Sequence, residues 1–108
     1  MIIASARIIP LPDKRIDVLE ILRHVQNRMR ASSGCISCTI YEEDGETAAI
    51  LYLELWRSQE ELQRHIQSPL YLQILTAIDL ASELPEIRFD EVANSQGLEL
   101  IEALRGCD

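Results

Sequence analysis

The chain has 108 residues, a length typical of one domain, and its hydrophobic content of 47% is too high for intrinsic disorder. Its 18 acidic and 10 basic residues give a net charge of −8, which repels nucleic-acid phosphates. No apolar run approaches the roughly twenty residues of a membrane span, and the N-terminus lacks the basic leader of a secretory signal. These properties predict a soluble, cytoplasmic protein that binds neither nucleic acid nor membrane.

The first part of the chain predicts a strand followed by a helix. Ile2–Ile9 is rich in β-branched residues, is apolar on both faces and stops at Pro10, which is typical of a strand. Asp13 is positioned to cap the amphipathic helix that follows, and Ser33-Gly34 is expected to end it with the glycine in a left-handed conformation. The apolar stripe of this helix consists of Val18, Ile21, Leu22, Val25 and Met29.

The middle of the chain predicts a hairpin. In Cys35–Glu42, apolar and polar side chains alternate with a period of two, which favours a strand. Asp44-Gly45 predicts a hairpin turn, and Ala48–Trp56 follows as the third strand. These two strands are therefore expected to pair in an antiparallel sheet.

The three cysteines do not predict a disulfide framework, because their number is odd. The Cys35-x-x-Cys38 spacing resembles a redox or metal motif, but residues three apart on a regular strand point to opposite faces. We therefore expect neither a disulfide nor a shared metal at this pair. Cys107, near the chain terminus, is expected to be a free thiol.

The second half predicts two short helices and a fourth strand. Ser58 and Glu61 form a capping box before one helical pattern, and Ser68-Pro69 starts the next. Glu86–Val92 then reads as a strand. The order β-α-β-β-α-β predicts an α+β, ferredoxin-like (split βαβ) domain over residues 1–93 with an antiparallel sheet. Residues 94–108 form a polar tail with a short helix that ends at Gly106.

The predicted sheet is apolar on both faces. On the third strand, Leu51, Leu53 and Leu55 lie on one side and Ile50, Tyr52 and Trp56 on the other. The helices of this fold cover one face, so the other would be exposed unless a second copy packed against it. We therefore expect a homodimer that associates sheet to sheet. The alternative is that the C-terminal helix of the same chain covers this face.

Side chains suited to an aromatic ligand share one face of the third strand. Tyr52, Glu54 and Trp56 are two residues apart, so a phenol, a carboxylate and an indole converge there. The alternative places Tyr52 and Trp56 in the core and Glu54 at a wet rim. His65 lies on the flank of a helical apolar stripe, where it either enters a cleft as a base or donor or pairs with Glu61 at the surface.

Two further side chains are candidates for substrate binding. Tyr71 belongs to an apolar helical stripe, so it is either part of the core or lines a pocket. Arg88 points away from Ile87 and Phe89 on the fourth strand, where it either forms an ion pair or meets an anionic substrate. His24 lies off the apolar arc of its helix and is expected at the surface.

These motifs together resemble the antibiotic biosynthesis monooxygenase family. The resemblance rests on Glu54-Leu55-Trp56-Arg57-Ser58, followed by Glu61-Leu62, His65, Ser68-Pro69 and Tyr71, and on Gly34-Cys35-Ile36-Ser37 followed by Tyr41. It covers residues 1–93. It implies a dimeric α+β barrel, in which the oxygenases attack phenolic or quinol-like substrates with O₂ and without flavin, metal or haem. The group also contains haem-degrading enzymes and isomerases.

For this chain the resemblance implies a cofactor-independent monooxygenase that is homodimeric and acts on a small aromatic or quinol-like ligand. His65, Trp56 and Tyr52 would be catalytic, and Glu54, Tyr71 and Arg88 would bind the substrate. Haem degradation is disfavoured, because the first strand has no Asn and because His65 and Leu75 stand where that branch has Trp and His.

The resemblance to the oxygenases is incomplete. The Asn expected at the pocket is missing, and Leu70 follows the Ser-Pro turn where an aromatic residue or His is usual. The alternatives are therefore a non-catalytic dimeric binding module, which a pocket too small for a ring would favour, and an isomerase on the same fold.

Overall fold

The computed structural model describes residues 1–106, so the prediction for Cys107 lies outside the described residues. The strands are β1 (Ile2–Ile8), β2 (Cys35–Glu42), β3 (Ile50–Trp56) and β4 (Glu86–Glu91), and the helices are α1 (Arg15–Met29), α2 (Gln59–Ile66), α3 (Tyr71–Asp79) and α4 (Leu98–Arg105). A 3-10 turn (Pro12–Lys14) precedes α1. The predicted order of elements is confirmed. Within residues 1–106, every helix is too short or too polar to span a bilayer.

The four strands form one antiparallel sheet in the order β2-β3-β1-β4. Ile2 lies opposite Trp56 of β3 on one side and opposite Glu91 of β4 on the other. This strand order, with α1 and the α2–α3 pair as the two crossovers, is the ferredoxin-like α+β fold predicted from the sequence.

One face of the sheet forms the core with the helices. Burial alternates along β1 and β3, so that every second side chain is buried. The buried set packs with Val18, Leu22 and Val25 of α1 in one apolar cluster. It consists of Ile2, Ala4, Ala6, Ile8, Ile50, Tyr52, Glu54 and Trp56.

The other face of the sheet, which we call the open face, is not covered by any helix within residues 1–106. Its residues on the two central strands are only half-buried, and Leu51, Leu53 and Leu55 make it aliphatic along β3. The prediction of a second apolar face is confirmed along β3 only, because the sheet register places the polar residues Ser5, Arg7 and Arg88 on this same face. The alternative that α4 covers the open face is wrong, because the apolar side chains Leu98 and Leu104 of α4 are 66% and 79% exposed.

The ends of α1 differ from the prediction. Asp13 lies in the 3-10 turn, and α1 starts after Lys14 without a side-chain cap. The helix ends at Met29, and Gly34 does not adopt a positive φ. Gly34 is instead required by close packing, because a Cβ atom there would overlap the side chain of Glu61. The left-handed helix end occurs at Gly106, with φ of 84°.

A β-bulge at Ile36 overturns the prediction that Cys35 and Cys38 point to opposite faces of the sheet. Cys35 lies opposite Trp56 and Ser37 opposite Leu55, so Ile36 is an extra residue in β2. The insertion shifts the alternation, and Cys35 and Cys38 both point to the helix-covered face. Both thiols are free, and no group of three His, Cys, Asp or Glu side chains within residues 1–106 could hold a metal.

Candidate functional site

A buried carboxylate occupies the centre of β3. The alternation of the strand directs Glu54 into the core, where the residue is 2% exposed. Burying a carboxylate costs roughly several kcal/mol of free energy unless hydrogen-bond donors satisfy its oxygens. The identity of those donors therefore defines the chemistry of this part of the molecule.

Three donors converge on Glu54. The Tyr52 hydroxyl donates to Oε2 at 2.5 Å, Trp56 Nε1 donates to Oε1 at 2.8 Å, and His65 Nε2 contacts Oε2 at 2.9 Å. Tyr52 and Trp56 reach the carboxylate because they lie two residues away on the same strand face. His65 comes from α2, so this contact joins the helix to the strand.

Aromatic packing fixes the position of His65. Ser58 caps α2, since its Oγ accepts the Glu61 backbone N–H at 3.3 Å, and His65 follows two turns later. The His65 ring stacks on Trp56, with centroids 4.9 Å apart, and meets Tyr71 edge-on at 5.2 Å. The alternative of a surface pair with Glu61 is wrong, because Glu61 contacts Ser58 and His65 is buried.

Cys38 extends the network and was missed by the sequence reasoning. Its Sγ donates to the Tyr52 hydroxyl at 3.3 Å, so the donors run from Cys38 through Tyr52 to Glu54. Burial raises the pKa of Cys38 to about 12, and it raises the pKa of Cys35 to about 11. Both thiols are therefore protonated at neutral pH. The contact depends on the β2–β3 register, which places Cys38 opposite Glu54 and next to Tyr52, and the alternation within β2 alone does not give that register.

The tyrosines beside Glu54 are also held in their protonated form. Burial is the largest cause that raises the pKa of Tyr52, and the Glu54 charge raises it further. The pKa of Tyr71 is raised by the same two causes in the same order. Both phenols are thus hydrogen-bond donors at neutral pH rather than nucleophiles.

A small cavity, which we call the inner cleft, lies between the sheet and α3. Tyr52, Glu54 and Tyr71 line its polar side, and Ile87 and Phe89 of β4 line its outer wall. Its solvent space is about 20 Å³, enough for about one water molecule. Ile87 and Phe89 are 39% and 48% exposed, so this outer wall is the least buried part of the cleft.

A second cavity, which we call the outer groove, opens on the other side of Glu54 and its hydrogen-bond partners. It lies between α2 and the α1–β2 connection and has a volume of about 320 Å³. Trp56 and His65 line the groove and not the inner cleft, whereas Glu54 lines the cleft and not the groove. The Glu54–His65 contact therefore separates the two cavities.

The structure brings five of the six predicted site residues together: Tyr52, Glu54, Trp56, His65 and Tyr71. It does not bring Arg88 there. Arg88 lies opposite Ser5 in the sheet register, on the open face, and its Nη2 donates to Asp90 at 3.2 Å. The ion-pair interpretation of Arg88 is the one that the geometry matches.

Comparisons with known proteins agree with this architecture. The family model described as antibiotic biosynthesis monooxygenase matches residues 1–77. The chain is 29% identical over 98 residues to the uncharacterized protein sll1783 of Synechocystis sp., covering 90% of this chain and 67% of that protein.

Solved structures give the same result for the fold. Rv0793 from Mycobacterium tuberculosis is 25% identical with a TM-score of 0.79, covering 89% of this chain and 98% of its own. A conserved protein from Methanosarcina mazei Go1 has a TM-score of 0.76 at 21% identity, with coverages of 83% and 90%. The segment matched by the family model contains Glu54, the side chains that contact it, and Cys38. This chain therefore belongs to the antibiotic biosynthesis monooxygenase family.

Proposed function

We propose that the chain is a cofactor-independent monooxygenase that oxidises a small aromatic, phenolic or quinol-like substrate with O₂ in the inner cleft. The observation that carries this proposal is the buried Glu54 carboxylate, which borders the cleft while three side chains hold it in place. A base fixed in a dry site can remove the hydroxyl proton of a phenol and leave an electron-rich anion.

In the proposed reaction, Glu54 accepts the hydroxyl proton of the substrate and later returns it. The phenolate passes one electron to O₂, and the two radicals combine to form a carbon–oxygen bond on the ring. The O–O bond then breaks, the ring carbon becomes a carbonyl as it loses its hydrogen, and the leaving hydroxide takes the proton back from Glu54. The substrate gains one oxygen and loses two hydrogens, and the second oxygen leaves as water.

The neighbouring side chains have separate tasks in this proposal. The Tyr71 phenol borders the cleft and donates to the developing oxyanion. Tyr52 donates to Glu54 from inside the cleft, whereas Trp56 and His65 orient Glu54 from behind it. Arg88 has no role in the cleft.

The size of the inner cleft favours a second candidate function. A space for about one water molecule does not hold an aromatic ring, so Ile87 and Phe89 must move before a substrate enters. If they stay in place, the chain is a non-catalytic dimeric small-molecule-binding module. An isomerase would use Glu54 for proton transfer without O₂.

We also propose that the active form is a homodimer of cytoplasmic chains, packed through the open face of residues 1–93, with residues 94–108 as an appended tail. Leu51, Leu53 and Leu55 are the half-buried aliphatic side chains that support this interface. Burial of ~600 Å² of apolar surface at ~25 cal/mol per Å² stabilises the pair by roughly 15 kcal/mol before association entropy is subtracted.

O₂ consumption over a panel of quinols and anthrones tests the oxygenase proposal. We expect uptake by the wild type and a loss of at least about 100-fold in Glu54→Gln, since a positioned base contributes on this scale. His24→Ala, at an exposed position outside both cavities, is the control and should keep full activity. Substrate turnover under nitrogen would support the isomerase instead, and tight binding without turnover would support the binding module.

A further inference from the structure

The outer groove concentrates positive charge in an acidic chain. Arg28 lies in the last turn of α1 and Arg64 in the last turn of α2, and both side chains line the groove. Neither arginine has an ion-pair partner within residues 1–106. One acidic residue, Glu61, also lines the groove, and its Oε1 accepts the Ser58 hydroxyl at 3.0 Å. Two free guanidinium groups thus face one cavity.

His65 adds a directed donor or acceptor to the same groove. Nε2 is used by Glu54, and Nδ1 has no hydrogen-bond partner within residues 1–106. No fully buried side-chain nitrogen or oxygen in that range lacks a partner, so Nδ1 is not sealed in the core. The groove is the cavity that the ring lines. Protonation of Nδ1 would give a third cationic donor there.

The rest of the lining sets the kind of molecule that fits. Ser32, Ser33 and Ser68 provide hydroxyls beside the charges, and Met29 and Leu70 provide an apolar wall. The volume of about 320 Å³ falls in the range of small-molecule sites, which are about 300–1,000 Å³. Guanidinium groups bind carboxylates and phosphates through paired charge-assisted hydrogen bonds.

We propose that the outer groove is a binding site for a small molecule that carries a carboxylate or phosphate on an apolar body. Arg28 and Arg64 bind the anionic group, which lies beside Nδ1 of His65. The site is distinct from the inner cleft and does not depend on oxygenase activity. The two sites are adjacent nonetheless, because His65 in the groove contacts Glu54 in the cleft at 2.9 Å.

The proposal is tested by ¹⁵N NMR of the histidine-labelled chain during titration with inorganic phosphate and, separately, with acetate, at constant ionic strength. We expect the His65 Nδ1 resonance to shift in a saturable way. His24, exposed on α1, serves as the internal control and should hardly move. The relative affinities for phosphate and acetate identify which anionic group the groove prefers.

Arginine variants separate binding from a structural role. Both arginines also complement a helix C-terminus, and that role alone predicts altered stability without any ligand response. We expect Arg28→Ala and Arg64→Ala each to weaken phosphate binding about tenfold or more, since each removes a charge-assisted contact. Arg23→Ala, on the exposed side of α1, should bind as the wild type does. Equal shifts of His65 and His24, or unchanged affinity in both groove variants, would overturn the proposal.

Discussion

The two faces of β3 solve the problem of burial in different ways. On the helix-covered face, Glu54 is buried and every polar contact it needs comes from the same chain. On the open face, one residue away, Leu53 and Leu55 remain half-buried, and α4 does not cover them. The chain therefore completes its polar site alone but leaves its aliphatic surface for another molecule to cover.

The largest expected effect comes from charging the open face. Leu53→Lys would place an unpaired ammonium group in the proposed dimer interface, twice per dimer, at a cost of several kcal/mol for each. We expect a monomer, or aggregation, where the wild type sediments as a dimer at micromolar concentration. Leu84→Lys, the same substitution at a side chain that is 94% exposed before β4, is the charge-matched control. A wild type that sediments as a monomer would remove the basis of the interface.

The contribution of the helix-covered face is tested by removing Glu54, the hydrogen-bond acceptor at its centre. Glu54→Ala leaves the Tyr52 hydroxyl, Trp56 Nε1 and His65 Nε2 without their partner, which we expect to lower the free energy of unfolding by about 3–5 kcal/mol. Urea denaturation measures this loss. Lys14→Ala, which removes an exposed ion pair at the start of α1, should leave the midpoint unchanged. A similar effect for both variants would mean that the Glu54 network contributes no special stability.

The sequence predicted which side chains share a face of β3 better than it predicted how the site is assembled. The period of two along β3 placed Tyr52, Glu54 and Trp56 on one face, because strand alternation is a local property. It could not decide whether Glu54 lies at a wet rim or in the core, since that depends on how α2 places His65 over it. That position requires the tertiary packing of His65 against Trp56 and Tyr71.

Two local predictions were wrong: the alternation at the start of β2 and the role of Gly34. The alternation rule failed at Ile36, because a bulge has no reliable signature in a single sequence. The bulge moved Cys35 to the face of Cys38. Gly34 was assigned to a helix end because glycine favours that position, whereas the structure uses it for close packing against Glu61.

We expect alkaline pH to weaken the helix-covered face gradually, because the Cys38 thiol is buried there. Because burial raises the pKa of Cys38 from an ordinary value near 9.0 to about 12, the unfolded state releases a proton first as the pH rises. The contribution of this thiol to stability is complete below about pH 9 and is lost between about pH 9 and 12. The loss is at most about 1.4 kcal/mol per pH unit.

The measurement is the free energy of unfolding from pH 8 to pH 11 in the wild type and in Cys38→Ala. We expect the variant to lose stability less steeply, with Tyr52 still contributing a slope of the same sign because its pKa is also raised. Thr39→Ala, the next residue on β2 and on the open face, is the matched control and should keep the wild-type slope. Parallel curves for the wild type and Cys38→Ala would contradict the buried position of this thiol.

The smallest effect concerns the junction that positions His65. In Gly34→Ala, the added Cβ would displace the Glu61 side chain, which contacts Ser58 at the start of α2. We expect a loss of about 1 kcal/mol, typical of a weakened N-cap, seen as a lower Tm. Gly97→Ala is the control, since its Cβ would meet only a flexible carboxylate at 3.0 Å next to the exposed α4. If Tm falls but the ¹⁵N spectrum of His65 is unchanged, α2 is held by its packing on β3 rather than by its cap.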